Sequence, residues 1–260
     1  MKVLFIGSSK FGLKCAKTVA SLKETRIVGI ISNKKRFAVS YSDRLVTNVL
    51  HADLREFAGR NKIPYYEMEE NMKEEGLWNF IEKIKPEFIL VAGWYHMIPD
   101  FIVAKIPCAG LHASLLPKYR GGAPLVWAII NGEKETGITL FLLDKGVDRG
   151  PIIGQEKVKI NNRDTIATVY MKIEKKGIKL LWKYLPKIAN RTAVYKKQDE
   201  SQKTIFPQRT PEDGRINWDW SVKRIKDFIR AQTKPYPGAY TIIKNKKVVI
   251  WDAEITQRDI

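Results

Sequence analysis

A chain of 260 residues, 44% hydrophobic and 28% charged, carries enough apolar material for one full core plus a small appendage, which excludes the disordered and membrane-embedded classes. Two cysteines and three scattered histidines, with no His, Cys or acid grouping at ligand spacing, exclude a disulfide framework and a metal centre. Forty-six Lys and Arg against 28 Asp and Glu give a net charge of +18, a field that attracts a polyanion or a phosphorylated small substrate, while much of the excess reads as solvated lysines on helix faces.

The first apolar run, before Gly7, is too short for a signal-peptide core or a membrane span, so a cytoplasmic protein with no membrane partner is expected. From there short β-rich runs alternate with amphipathic helical ones, the signature of a Rossmann-like parallel sheet with helices on both faces. Strands are predicted at Lys2 to Ile6, Arg26 to Ser32, Ile63 to Tyr66, Phe88 to Ala92, Ala109 to His112 and Gly137 to Leu143. Helices are predicted at Phe11 to Leu22, Ala52 to Asn61, Leu77 to Lys85 and Pro124 to Ile130, with a long one over 163–189. The polar, basic stretch from Asn33 to Asn48 lacks clear periodicity and reads equally as a mobile loop or a tethered binding loop. The α/β domain is expected over 1–203, and the turn-rich remainder, 204–260, as a small α+β subdomain with a short helix from Val222 to Ala231 and strands near Ala239 to Ile243 and Lys247 to Asp252. At that size it is expected to pack on the first domain or on another subunit.

Ligands of such sheets bind at the carboxyl ends of the strands, which directs attention to GLHASLLPKYRGGAPLVWAIINGEKETGITLFLLDKGVDRG, residues 110–150. His112 ends a strand-like run, and Asp148 follows another strand 36 residues later, so the two can converge at one sheet edge. A carboxylate that orients an imidazole makes a proton shuttle and an oxyanion stabiliser. The spacing alone is equally compatible with an incidental histidine and a turn-forming aspartate. Near the start, GSSKFG follows a strand and can bring backbone N–H groups, Ser9 and Lys10 to an anionic ligand; it is not a dinucleotide fingerprint. Tyr119 and Arg120 in PKYRGG offer a hydrogen-bonding ring and a bidentate phosphate grip, with loop shaping as the plainer role. Trp218 and Trp220 in INWDW read first as packing anchors.

HASLLPKYRGGAP followed by INGEKETGITLFLLDKGVDRG resembles the signature of the folate-dependent formyltransferases, a family that includes methionyl-tRNA, glycinamide ribonucleotide and sugar N-formyltransferases; a weaker similarity extends through RTPEDGRINWDW and RAQTKPYPGAY. The resemblance implies that an acceptor amine attacks the formyl carbon of 10-formyltetrahydrofolate, the co-substrate. It makes His112 the residue that stabilises the oxyanion and handles a proton, and Asp148 its partner. GWYHMIP resembles the family loop that holds the pterin ring, which implies His96, Met97 and Ile98 on one side of the folate and Leu143, Asp144 and Val147 on the other; without the resemblance, Met97 and Ile98 read as core residues.

The chain departs from the family pattern where Gly110 stands two positions before the histidine, at the usual place of an asparagine whose amide holds the formyl oxygen. A backbone N–H, a water or another polar group must substitute there, or transfer is slower or altered, which leaves donor hydrolysis or a catalytically inactive binder as lesser readings. Among acceptors, the expected one is the amine of a nucleotide-linked 4-amino-4,6-dideoxy sugar such as dTDP-4-amino-4,6-dideoxyglucose, a precursor of surface polysaccharide such as lipopolysaccharide O-antigen. Methionyl-tRNA formyltransferases continue into a longer C-terminal β-barrel that holds tRNA, so Met-tRNA is the alternative, and no nucleic-acid partner is expected. Glycinamide ribonucleotide enzymes are shorter than this chain. Related sugar enzymes are often dimers, which implies a homodimer through the appendage.

Overall fold

The structure is a computed structural model describing residues 1–39 and 42–256. Strand β1 (Lys2–Ile6) alternates so that Val3 and Phe5 face one core cluster while Leu4 and Ile6 face the other, as a sheet buried on both faces requires. Ser9 then caps helix α1 (Lys10–Ser21), its hydroxyl accepting the Gly12 N–H at 3.0 Å. β2 (Arg26–Asn33) returns parallel to β1.

The next segment differs from expectation. Strands β3 (Arg36–Val39) and β4 (Ser42–Thr47) form an antiparallel hairpin; residues 40 and 41 of the 33–48 stretch lie outside the described residues. A two-residue alternation, Phe37 and Val39 inward and Arg36 and Ala38 outward, drives the first strand, but four residues in a basic run are too few to stand out.

The chain continues through α2 (Arg55–Arg60), β5 (Tyr65–Met68), α3 (Glu75–Ile84), β6 (Phe88–Val91), α4 (Asp100–Lys105), β7 (Cys108–His112), the short β8 (Arg120–Gly121) and α5 (Pro124–Ile130). β9 (Glu135–Leu142), β10 (Ile152–Lys159) and the long α6 (Ile166–Ala189) complete the main body. β11 (Ile205–Phe206) pairs with β8, and α7 (Val222–Gln232) leads to a hairpin of β12 (Ala239–Ile243) and β13 (Lys246–Ile250). Helix α4 and strand β10 were not anticipated: α4 is a single short turn set, and Gln155, Glu156 and Lys157 interrupt the apolar texture of β10.

Seven strands form the central sheet in the order β10-β9-β7-β6-β1-β2-β5. The five from β5 to β7 are parallel, as expected; β9 runs antiparallel to β7, and β10 antiparallel to β9. Helices α1, α5, α6 and α7 contribute to the larger core, and α3 and α4 cover the opposite face with Leu77, Ile81 and Ile102. No helix among the described residues is long and apolar enough to cross a membrane.

Candidate active site

Strand β7 delivers His112 at its C-terminal end, and its imidazole is 11% exposed. Asp148 arrives by a route the sequence did not suggest. Because β9 is antiparallel, Thr139 pairs with His112 while Leu142 pairs with Ala109, so the turn carrying Asp148 starts beside the beginning of β7. The Leu143 N–H bonds to the Cys108 carbonyl at 2.8 Å, and the turn folds back until Asp148 Oδ2 stands 3.5 Å from His112 Nδ1. The expected pair is therefore assembled from opposite ends of two neighbouring strands.

Each member has a second anchor. His112 Nε2 donates to the Tyr119 carbonyl at 2.7 Å, and Asp148 Oδ2 accepts the Gly121 N–H at 2.9 Å. Nε2 carries the hydrogen it gives to that carbonyl, and Nδ1 faces the Asp148 carboxylate in a loose apposition of the kind that tightens when substrate binds. Tyr119 (φ 58°), Ala123 (φ 46°) and Asp148 (φ 49°) all hold left-handed backbone conformations, each an unfavourable state for a side-chain-bearing residue and a mark of a site held by its surroundings.

Gly110 shares its sheet face with His112 and pairs with Phe141. A Cβ there would lie 3.1 Å from Leu143 Cδ2 and 3.4 Å from Phe141 Cε1, so apolar atoms occupy the space nearest to where the family places its asparagine.

The 94–98 loop contributes a second half-site. His96 lies between Trp94 and Phe37, with ring centroids 5.2 and 5.1 Å away, and faces the Asn33 amide, whose Nδ2 is 3.3 Å from its Nε2. Burial lowers its pKa, so the ring is neutral at neutral pH. Two buried polar atoms beside it, Asn33 Oδ1 and Trp94 Nε1, have no hydrogen-bond partner among the described residues, an arrangement that native interiors rarely leave unanswered. Met97 is 63% exposed, whereas Ile98 points into the smaller core with Ile102, the packing role open to it from sequence alone. Leu143 packs at the edge of that core, and Asp144 and Val147 are exposed along the returning turn. His51, assigned no role from sequence, donates from Nε2 to the Asn33 carbonyl at 3.2 Å. Asn33, Phe37 and Trp94 were missed; Trp94 alone carried a signal, lying inside the GWYHMIP run.

Of the four expected acceptor contacts, Ser9 and Arg120 are engaged within the protein. In the N-terminal turn, Gly7, Ser8 and Lys10 N–H bond to the carbonyls of Ile31, Gly93 and Leu50, and the Ser9 hydroxyl accepts the Gly12 N–H as the α1 cap. A Cβ at Gly93 (φ 63°) would fall 1.9 Å from the Ser9 Oγ, which shows how closely the turn is packed. The Lys10 side chain is exposed and stays open to an anion. Arg120 is 2% exposed, its guanidinium bonded to Gln198 and Glu200, so it grips the protein rather than a phosphate. Tyr119 stacks on Phe206 at 4.8 Å and donates its hydroxyl to Glu133; burial first, then that carboxylate, pushes the phenol up to about 12, so it remains a hydrogen-bond donor.

Trp220 packs against Phe228, and Trp218 donates to Thr241 Oγ1. Cys15 and Cys108 are buried and unreactive, burial pushing the Cys108 thiol up to about 12. Along α6, Lys172 pairs with Asp164, and Lys176 and Lys179 with Glu156, which breaks the lysine row as a phosphate-tracking stripe.

A formyl transferase family model matches residues 1–185, and a formyl transferase C-terminal domain model matches residues 209–259. A methionyl-tRNA formyltransferase of Thermodesulfovibrio yellowstonii is 33% identical over 260 residues, covering 98% of this chain and 80% of that protein. Another, from Caldanaerobacter subterraneus subsp. tengcongensis, is 40% identical over 179 residues, covering 68% of this chain but 58% of that protein. Among solved structures, a sugar N-formyltransferase from Shewanella sp FDAARGOS_354 superposes with a TM-score of 0.76 at 20% identity over 99% of each chain. An N-formyltransferase from Helicobacter canadensis, solved with folinic acid and dTDP-3-aminofucose, gives 0.69 at 24% identity over 96% of this chain and 86% of that one. The chain belongs to the formyltransferase family, in both its N-terminal and C-terminal parts, and is an enzyme of folate-dependent one-carbon transfer.

Proposed function

We propose that this enzyme moves the formyl group of 10-formyltetrahydrofolate to the amine of a nucleotide-linked 4-amino-4,6-dideoxy sugar, and that His112 and Asp148 carry the chemistry. The observation that bears most weight is the 3.5 Å apposition of His112 Nδ1 and Asp148 Oδ2 at the end of β7, the strand beside β6, whose following loop carries Trp94 and His96. The folate supplies an activated formyl carbon; the amine nitrogen bonds to that carbon, the carbon–N10 bond breaks, and one proton passes from amine to N10. His112 faces the oxyanion and handles that proton, and Asp148 holds the ring and balances its charge. The unpartnered Trp94 Nε1 donor and Asn33 Oδ1 acceptor suit a flat heteroaromatic ring rich in donors and acceptors, with the neutral His96 and Met97 at its border.

A sugar acceptor is supported by the likeness to a sugar enzyme over 99% of each chain. The second reading, Met-tRNA as acceptor, is favoured by the 33% identity spanning 98% of the chain and by the +18 charge. The deciding assay follows tetrahydrofolate release and acceptor mass with a dTDP-linked 4-amino sugar, with formylatable Met-tRNA, and with no acceptor. Formylated sugar alone is the expected result; formylated tRNA overturns the acceptor, and release without acceptor makes the enzyme a hydrolase.

The same reading includes a homodimer through the C-terminal hairpin, where Trp218, Ile243 and Val248 are exposed on neighbouring strands and turns. Light scattering on the purified protein is expected to give twice the chain mass, and a monomer rejects it.

A further inference from the structure

Gln198 is 5% exposed and lies far from the catalytic pair in sequence, yet its side chain reaches the backbone of one member and the support of the other. Its Nε2 donates to the carbonyls of Asp148 and Gly150, both at 2.8 Å. Its Oε1 accepts from Arg120 Nε at 3.1 Å and Nη2 at 2.7 Å. All four hydrogen-bonding positions of the amide are thus used, and the orientation is unambiguous, because a flip would set oxygen against two carbonyls and NH2 against a guanidinium.

Arg120 in turn makes a forked contact with Glu200, at 2.7 Å from Nη2 and 3.2 Å from Nη1. Its chain neighbours are the two backbone groups that serve the pair: the Tyr119 carbonyl accepts from His112, and the Gly121 N–H donates to Asp148. The strand pairing of β8 with β11 fixes these neighbours further, through Arg120 N–H to the Thr204 carbonyl and Gly122 N–H to the Phe206 carbonyl, both at 2.9 Å.

From this connectivity we infer that Gln198 is a positioning residue for formyl transfer, holding Asp148 in its left-handed backbone conformation so that the carboxylate faces His112. The inference rests on the catalytic reading given above. Without the two amide donors, residue 148 is free to leave φ 49° for the conformation that L residues prefer, and its carboxylate turns away from the imidazole and from Gly121. A displacement of about 1 Å in a catalytic group costs on the order of 100-fold in rate.

The test compares the full-length wild type with Gln198→Glu and Gln198→Met. Glutamate keeps the shape and the Arg120 contact but lacks the donors; methionine lacks both. Both variants are expected to lose about 100-fold in kcat with the acceptor that wild type formylates, and to keep the wild-type KM for 10-formyltetrahydrofolate. Amide hydrogen exchange supplies a readout independent of turnover: the Gly121 N–H is expected to lose protection while the Gly122 N–H, bonded to Phe206, keeps it. Wild-type kcat and wild-type Gly121 protection in Gln198→Glu overturn the inference, as does joint loss of protection at Gly121 and Gly122, which marks a merely structural role. If wild type transfers to no acceptor, the catalytic reading falls, and the exchange measurement still decides whether Gln198 places Asp148.

Discussion

His112→Ala is expected to lower kcat by about three orders of magnitude, the size found when a proton-handling group and an oxyanion donor vanish together. Donor affinity is expected to change little, because the groups suited to the folate ring, Trp94, Asn33 and His96, belong to the ends of β2 and β6 and the loop beyond. The variant is also expected to fold: the imidazole sits at a strand end with an 11% exposed side chain, and its loss leaves the Tyr119 carbonyl close enough to solvent to be hydrated. Stopped-flow turnover alongside calorimetric titration of a stable folate analogue separates these effects. A loss of less than about tenfold in kcat assigns the proton handling to another group.

Asp148→Asn is the second large effect, expected at about 1,000-fold in kcat, the middle of the range for a lost contribution to proton transfer. Its Oδ2 serves two partners, the Gly121 N–H at 2.9 Å and His112 Nδ1 at 3.5 Å. An asparagine can keep the first through its carbonyl oxygen, which preserves the loop, but it removes the negative charge that balances an imidazolium during proton transfer. KM for the donor is expected to hold while kcat falls, and Asp148→Glu is not expected to restore it, since an added methylene moves the carboxylate off the geometry set by the Gly121 N–H. A variant that instead raises KM alone assigns Asp148 to ground-state binding.

Most of the frame was legible in the sequence because strands buried on both faces leave apolar runs and helices leave a 3.6-residue period. β1, β2, β6, β7 and α6 stand close to their predicted places. The hairpin at Arg36 to Thr47 was not legible, since its inward positions are few and sit in a basic run. That His112 and Asp148 meet was expected through the motif, but the direction of β9 was not: strand polarity is fixed by pairing across the sheet, and Phe141 and Leu142 look the same in either direction. Arg120 shows the opposite failure. An arginine in a glycine-rich loop looks like a ligand contact, and only the burial of its guanidinium against residues 78 and 80 positions away reveals its structural use.

Those separations also say when in the life of the chain the active centre comes into being. The sheet from β1 to β7 closes on contacts made within the first 112 residues, whereas the loop that steadies His112 and Asp148 borrows its register from residues 198–206. During synthesis the nascent chain therefore builds its framework well before its chemistry. Contacts this remote close late because loop entropy must be met first. A nascent chain shorter than about 200 residues therefore lacks the partners that set the loop between His112 and Asp148, whatever the state of its sheet.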